Sequence, residues 1–179
     1  PQGRQIMIDI YYTYASVDSE RFTKFILAKY YNIPDAEFAK TINGKPYLKN
    51  DKVFFNASHS KGLLALAVGK KEVGLDIESL SGKPRPAVLN KFTPREKYEI
   101  MTLADFYIHW TARESYIKYV AGSLASMWRR VEFYGKHVYF LNKPADVNVT
   151  QFTLDGYAFS VCGNYSRYSL KKIEKLPEC

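Results

Sequence analysis

The chain reads as an α+β fold of two comparable lobes, and three observations lead to that reading. Short runs of β-branched, aromatic and alternating apolar residues mark strands near both ends and at 73–78. Apolar residues at helical spacing mark helices in each half. The polar run Gly69-Lys70-Lys71-Glu72 separates the halves, so the boundary is expected there, with residues 1–71 as the first lobe and 72–179 as the second. At 179 residues the chain can bury a real core.

Taken in order, residues 7–14 form the first strand. Residues 18–31 form a helix that Asp18 or Ser19 can cap, because a short side-chain oxygen there accepts from an otherwise orphaned amide. Asn43-Gly44 and Lys45-Pro46 are turn punctuation, and 53–55 and 63–68 supply further strands. Beyond the boundary, strand 73–78 leads into a loop at 81–86. A helix starts near Thr93-Pro94-Arg95-Glu96, where threonine and glutamate stand at capping-box spacing and proline takes the first turn. A longer helix covers 103–120, and strands follow at 129–134, 137–141 and 152–162.

The chemistry concentrates in Val73-Gly74-Leu75-Asp76-Ile77-Glu78 and in Glu114. In a strand alternate side chains share a face, so Val73, Leu75 and Ile77 bury while Asp76 and Glu78 project together from the other side. Two neighbouring acids repel unless something positive lies between them. A hard divalent ion such as Mg²⁺ takes oxygen ligands and meets that need; a solvated strand face is the plainer alternative. Glu114 falls inside the apolar stripe of Leu103, Phe106, Trp110, Ile117 and Val120, where an acid needs a partner. Either Lys118 pairs with it one turn on, or a metal is held jointly by Asp76, Glu78 and Glu114. Upstream, Lys45, Ser58, His59, Ser60 and Lys61 gather donors and positive charge in segments read as turns, which suits phosphate oxygens.

In sequence order these segments resemble the surfactin-type 4′-phosphopantetheinyl transferases. The resemblance rests on Gly44-Lys45-Pro46, Phe55-Asn56-Ala57-Ser58-His59-Ser60, Gly74-Leu75-Asp76-Ile77-Glu78 and the stretch from Trp110 to Lys118. Arg113 stands where the family usually has lysine, and its role is left open. The resemblance implies a pseudo-twofold arrangement of two lobes with the active site between them. It implies a holo-[acyl-carrier-protein] synthase type of enzyme, which moves the 4′-phosphopantetheine of coenzyme A to a serine of an apo acyl or peptidyl carrier protein. Adenosine 3′,5′-bisphosphate leaves. Asp76, Glu78 and Glu114 are the implied Mg²⁺ ligands. Glu114 is also the implied base, unless it only ligates the metal while Glu78 acts through water, and Lys118 is the implied partner of the pyrophosphate. Lys45, Pro46, Ser58 and His59 are the implied coenzyme A contacts, with His59 near the 3′-phosphate. Val88, Leu89 and Phe92 read as a helix packed on its own lobe, in preference to a patch that receives a carrier helix.

Composition fits this reading without selecting it. Lys plus Arg is 26 against 18 acids, a net charge of +8 that favours anionic partners. Coenzyme A, an acidic carrier and a nucleic acid are all anionic, but no dense basic block or nucleic-acid signature occurs; Lys171, Lys172 and Lys175 read as a solvated tail. Two cysteines, Cys162 and Cys179, do not make a disulfide framework. With no signal-like segment and no apolar run long enough to cross a bilayer, a cytoplasmic monomer without nucleic-acid or membrane partners is expected. The 15 tyrosines and 11 phenylalanines are assigned to packing rather than base stacking. His109 and His137, outside any motif, are expected to be structural or exposed. Two rival readings use the same residues differently: a Mg²⁺-dependent phosphoryl enzyme acting on nucleotides, and a non-catalytic basic module whose acids are scaffold.

Overall fold

The computed structural model describes residues 7–49, 53–83 and 86–177. The first half runs β1 (Met7–Thr13), α1 (Ser19–Tyr31), β2 (Phe38–Lys40), β3 (Pro46–Leu48), β4 (Phe54–Ser60), β5 (Leu63–Gly69) and β6 (Val73–Ser79). Helices follow: α2 (Pro86–Leu89), α3 (Pro94–Glu99), α4 (Leu103–Tyr119) and α5 (Leu124–Met127). The chain then returns to strands β7 (Val131–Tyr134), β8 (His137–Phe140), β9 (Lys143–Pro144), β10 (Asn148–Leu154), β11 (Tyr157–Gly163) and β12 (Arg167–Lys172).

These elements form a mixed α+β fold with several sheets. One sheet has the order β12-β1-β5-β4 and another β10-β11-β6, with β2-β3 and β7-β8-β9 as smaller sheets. A shared core lies between the two main sheets, with Ile8, Ile10, Leu63 and Ala65 from one and Leu75, Ile77, Phe159 and Val161 from the other. On the first sheet's opposite face α1 buries Phe22, Ile26 and Leu27 against Leu64, Leu66 and Val68. Asp18 caps α1, its carboxylate accepting from the Arg21 amide at 2.9 Å. The capping box at Thr93 and Glu96 is present, and Thr102 with Asp105 forms a second one that opens α4. No helix among the described residues is long and apolar enough to cross a membrane.

Four sequence expectations change. The strand expected at 152–162 is a hairpin, β10 and β11, turning at Asp155 and Gly156, both with positive φ (49° and 80°). Asp-Gly is the dipeptide that suits such a turn. Residues 56–60, read as part of a turn, extend β4, and the turn falls at Lys61 and Gly62. Lys171 and Lys172 lie on β12, which runs parallel to β1, instead of a tail. Their side chains stay exposed while the next residue, Ile173, is buried beside α1. The first sheet therefore combines strands from both sides of the boundary placed at 71/72. Finally, α2 begins at Pro86, inside the loop expected at 81–86; residues 84 and 85 of that loop, like Cys179, lie outside the described residues.

Candidate active site

The site begins where α4 lies across β6. Along β6, Val73, Leu75 and Ile77 enter the shared core, while Gly74, Asp76 and Glu78 alternate onto the other face. A Cβ on Gly74 would sit 1.9 Å from the Ser115 carbonyl oxygen and 2.6 Å from the Tyr119 amide nitrogen. Glycine lets the helix settle onto the strand, and that contact brings Glu114 and Lys118 to Asp76.

The resulting cavity, of about 360 Å³, is lined by Ser58, His59, Asp76, Glu78, Glu114 and Lys118, with Pro46 and Trp110 in its walls. Lys118 Nζ donates to Asp76 Oδ1 at 2.6 Å and to Ser58 Oγ at 3.1 Å. Ser58 in turn donates to the same Asp76 oxygen at 3.0 Å, and Ser60 Oγ donates to Glu78 Oε2 at 2.9 Å. Asp76 Oδ2 is buried and has no hydrogen-bond partner among the described residues. Burial, and then the charge of Asp76, push the Glu114 carboxyl up to about 7; Lys118 opposes the shift and Glu78 adds to it. The cavity thus holds more negative charge than Lys118 neutralises.

The donor chemistry fits a hard cation: a buried carboxylate oxygen lacks a partner, and a second carboxyl resists ionisation beside two others. As arranged, however, no three or more His, Cys, Asp or Glu side chains among the described residues stand close enough to hold a metal. Asp76 Oδ1 is engaged by the Lys118 ammonium instead.

Of the residues singled out from sequence, Asp76, Glu78, Glu114, Lys118, Pro46, Ser58 and His59 meet in this cavity, with His59 exposed at its edge. Lys45 does not. It lines a neighbouring cavity of about 270 Å³ that shares Pro46. Its ammonium bonds Glu72 and donates to the Val73 carbonyl at 2.9 Å, and burial lowers its pKa against the opposing pull of Glu72. A larger groove of about 660 Å³, lined by Lys136, His137 and Arg167, contains none of the carboxylates.

Arg113 faces neither cleft nor solvent. It is fully buried, donates from Nε to Glu96 Oε1 at 2.6 Å and pairs with Glu96 Oε2 through a second nitrogen. A third nitrogen donates to the Trp128 carbonyl at 2.9 Å, and the guanidinium stacks over Phe92 and Trp128. A lysine cannot reproduce that fork. Phe92 is core, with Val88 and Leu89 half-buried against the same cluster. His109 is buried, His137 exposed. Ser60, read from the sequence as a phosphate donor, donates to Glu78 instead, and Asn56, not singled out there, accepts from the Leu75 amide at 2.7 Å through its side-chain oxygen, a contact between strands. The signal was present as the polar alternation Asn56, Ser58, Ser60.

Residues 72–163, just over half of the chain, match the 4′-phosphopantetheinyl transferase superfamily. The 4′-phosphopantetheinyl transferase gsp of Aneurinibacillus migulanus is 29% identical over 91% of this chain and 74% of its own length. A 4′-phosphopantetheinyl transferase of Bacillus subtilis is 30% identical over 55% of this chain and 48% of its own. The L-aminoadipate-semialdehyde dehydrogenase-phosphopantetheinyl transferase of Mus musculus is 30% identical over 60% and 42%. The chain thus spans less than half the length of the last two.

Proposed function

The chain belongs to the 4′-phosphopantetheinyl transferase superfamily, and from that premise we propose that it transfers the 4′-phosphopantetheine of coenzyme A to a serine of an apo acyl or peptidyl carrier protein. It is an enzyme of this family, and its relatives carry the same activity in their names. The reaction proposed here is Mg²⁺-dependent and releases adenosine 3′,5′-bisphosphate. The observation that carries the proposal is the cavity lined by Asp76, Glu78, Glu114 and Lys118, in which Asp76 Oδ2 has no partner among the described residues.

Asp76, Glu78 and Glu114 are the residues that would hold the cation, which when bound supplies positive charge against the pyrophosphate of coenzyme A. Lys118 then turns its ammonium toward the pyrophosphate and stabilises charge on the leaving side. Glu114 accepts the proton of the attacking serine hydroxyl. As a carboxylate in the cavity wall it has the chemistry for that role. His59, at the cavity edge, is assigned to the 3′-phosphate. Lys45 reaches the nucleotide end only if it leaves Glu72. The two main sheets, one backed by α1 and the other by α4, are taken as the two lobes of a pseudo-twofold arrangement, with β12 returning from beyond the boundary near residue 72 to join the first, and the chain as a cytoplasmic monomer without nucleic-acid or membrane partners.

The test is intact mass spectrometry of an apo carrier protein incubated with the chain, coenzyme A and Mg²⁺. One phosphopantetheine is expected on the acceptor serine, with none formed in excess chelator. Consumption of coenzyme A without modified carrier would favour a nucleotide hydrolase instead.

A further inference from the structure

The edges of the two main sheets are joined by side chains rather than by a backbone ladder. In an antiparallel pair alternate residues direct their amides away from the partner, so β6, paired on one side with β11, leaves a row of amides facing β4. Three alternate residues of β4 satisfy that row. Asn56 Oδ1 accepts from the Leu75 amide at 2.7 Å, Ser58 Oγ from Ile77 at 3.3 Å and Ser60 Oγ from Ser79 at 3.1 Å. The numbering rises together on both strands, so the edges run parallel.

Two of these rungs do more than close an edge. A serine hydroxyl has one proton and two acceptor sites. Ser58 gives its proton to Asp76 Oδ1 and accepts from the Ile77 amide and Lys118; Ser60 gives its proton to Glu78 Oε2 and accepts from the Ser79 amide. Each hydroxyl is anchored on backbone and directed at a carboxylate. With Ser58 and Lys118 both on Oδ1, the Asp76 oxygen left for a ligand is Oδ2, the buried atom without a partner among the described residues. The Asn56 rung faces the strand one residue from Gly74 and aims no acid.

We propose that Ser58 and Ser60 are positioning residues for the reaction, wedged between the β6 backbone and the carboxylates so that they fix which oxygens of Asp76 and Glu78 face the cavity. This differs from the coenzyme A contact that the family resemblance implies for Ser58, because its single proton is committed to Asp76. The inference rests on the transferase reading above.

Asn56 supplies the control, since it makes the same kind of rung without a carboxylate. Asn56→Ala and Ser60→Ala should both lower Tm by a few degrees, each leaving a β6 amide unpaired. Ser60→Ala alone should also lower kcat for carrier modification on the order of tenfold, with KM for coenzyme A changed less than twofold. It should also weaken Mn²⁺ binding to the free protein, read by calorimetry without coenzyme A. Ser60→Thr, which keeps the hydroxyl, should restore both, and Ser58→Ala repeats the test at the inner rung. Equal kcat losses in Asn56→Ala and Ser60→Ala, or unchanged kcat and Mn²⁺ affinity in Ser60→Ala, overturn the proposal. If the wild-type chain modifies no carrier, the transferase reading fails, while the Mn²⁺ comparison still decides the positioning role.

Discussion

Replacing Glu114 with glutamine should stabilise the metal-free protein at alkaline pH and do little in acid. The carboxyl is raised from 4.5 to about 7 by burial and by Asp76 and Glu78. At about 1.4 kcal/mol per pH unit, ionising it in the folded chain costs on the order of 3 kcal/mol. Between roughly pH 4.5 and 7 the folded state keeps a proton that the unfolded chain has released, so stability falls as pH rises through that window. Above it the full cost is present; below it the cost vanishes. Glu114→Gln removes the titration, so its Tm should exceed that of wild type by about 6 to 12 °C at pH 8 and match it at pH 4.5. Scanning calorimetry of both proteins in chelator at the two pH values gives the comparison. A Tm difference that is equal at both pH values, or a variant less stable than wild type at pH 8, would refute the account of Glu114 as a carboxyl whose ionisation is opposed by burial and by neighbouring acids. Adding Mg²⁺ at pH 8 should narrow the gap by raising the wild type.

Three further outcomes follow from contacts already described. Gly74→Ala should abolish folded, active protein, because the new methyl would meet helix backbone at 1.9 and 2.6 Å and neither chain can yield cheaply; circular dichroism and carrier modification would both show it. Arg113→Ala should cost about 3 to 5 kcal/mol by urea unfolding, since it leaves the Glu96 carboxylate buried and unpaired, whereas Arg113→Lys should fall between it and wild type. His59→Ala should reduce kcat/KM for coenzyme A roughly ten- to a hundredfold but cost much less with 3′-dephospho-coenzyme A, and equal losses on both donors would assign His59 a structural role.

The sequence was most informative where local rules decide the outcome. Alternation at Val73 to Glu78 and helical spacing around Glu114 placed three acids on facing elements, because both periods are properties of the backbone alone. The caps at Asp18 and Thr93 were legible for the same reason. What stayed hidden depends on partners far along the chain. Lys171 and Lys172 read as tail because nothing near them shows that β1 is waiting as a parallel neighbour. Arg113 looked like a variation on a catalytic helix, yet its guanidinium answers Glu96 on another helix and the ring faces of Phe92 and Trp128.

The segment from Phe55 to Ser60 shows why motif and mechanism can part company. Its serines and histidine have the composition of a phosphate-binding turn, and read alone they are donors in search of an anion. Folded, the same residues continue β4, and strand alternation divides them. Asn56, Ser58 and Ser60 turn to the unpaired amides of β6, while His59 projects to the exposed side. A two-residue period therefore sorts one polar cluster into a group that faces β6, of which Ser58 and Ser60 bond its carboxylates, and a histidine on the exposed side. The acids of β6 are useful only if their oxygens are held against mutual repulsion, and the neighbouring strand supplies that restraint without adding charge to the cavity. On the positioning proposal, Ser58 and Ser60 of β4 and the acidic alternation of β6 act as two halves of one device.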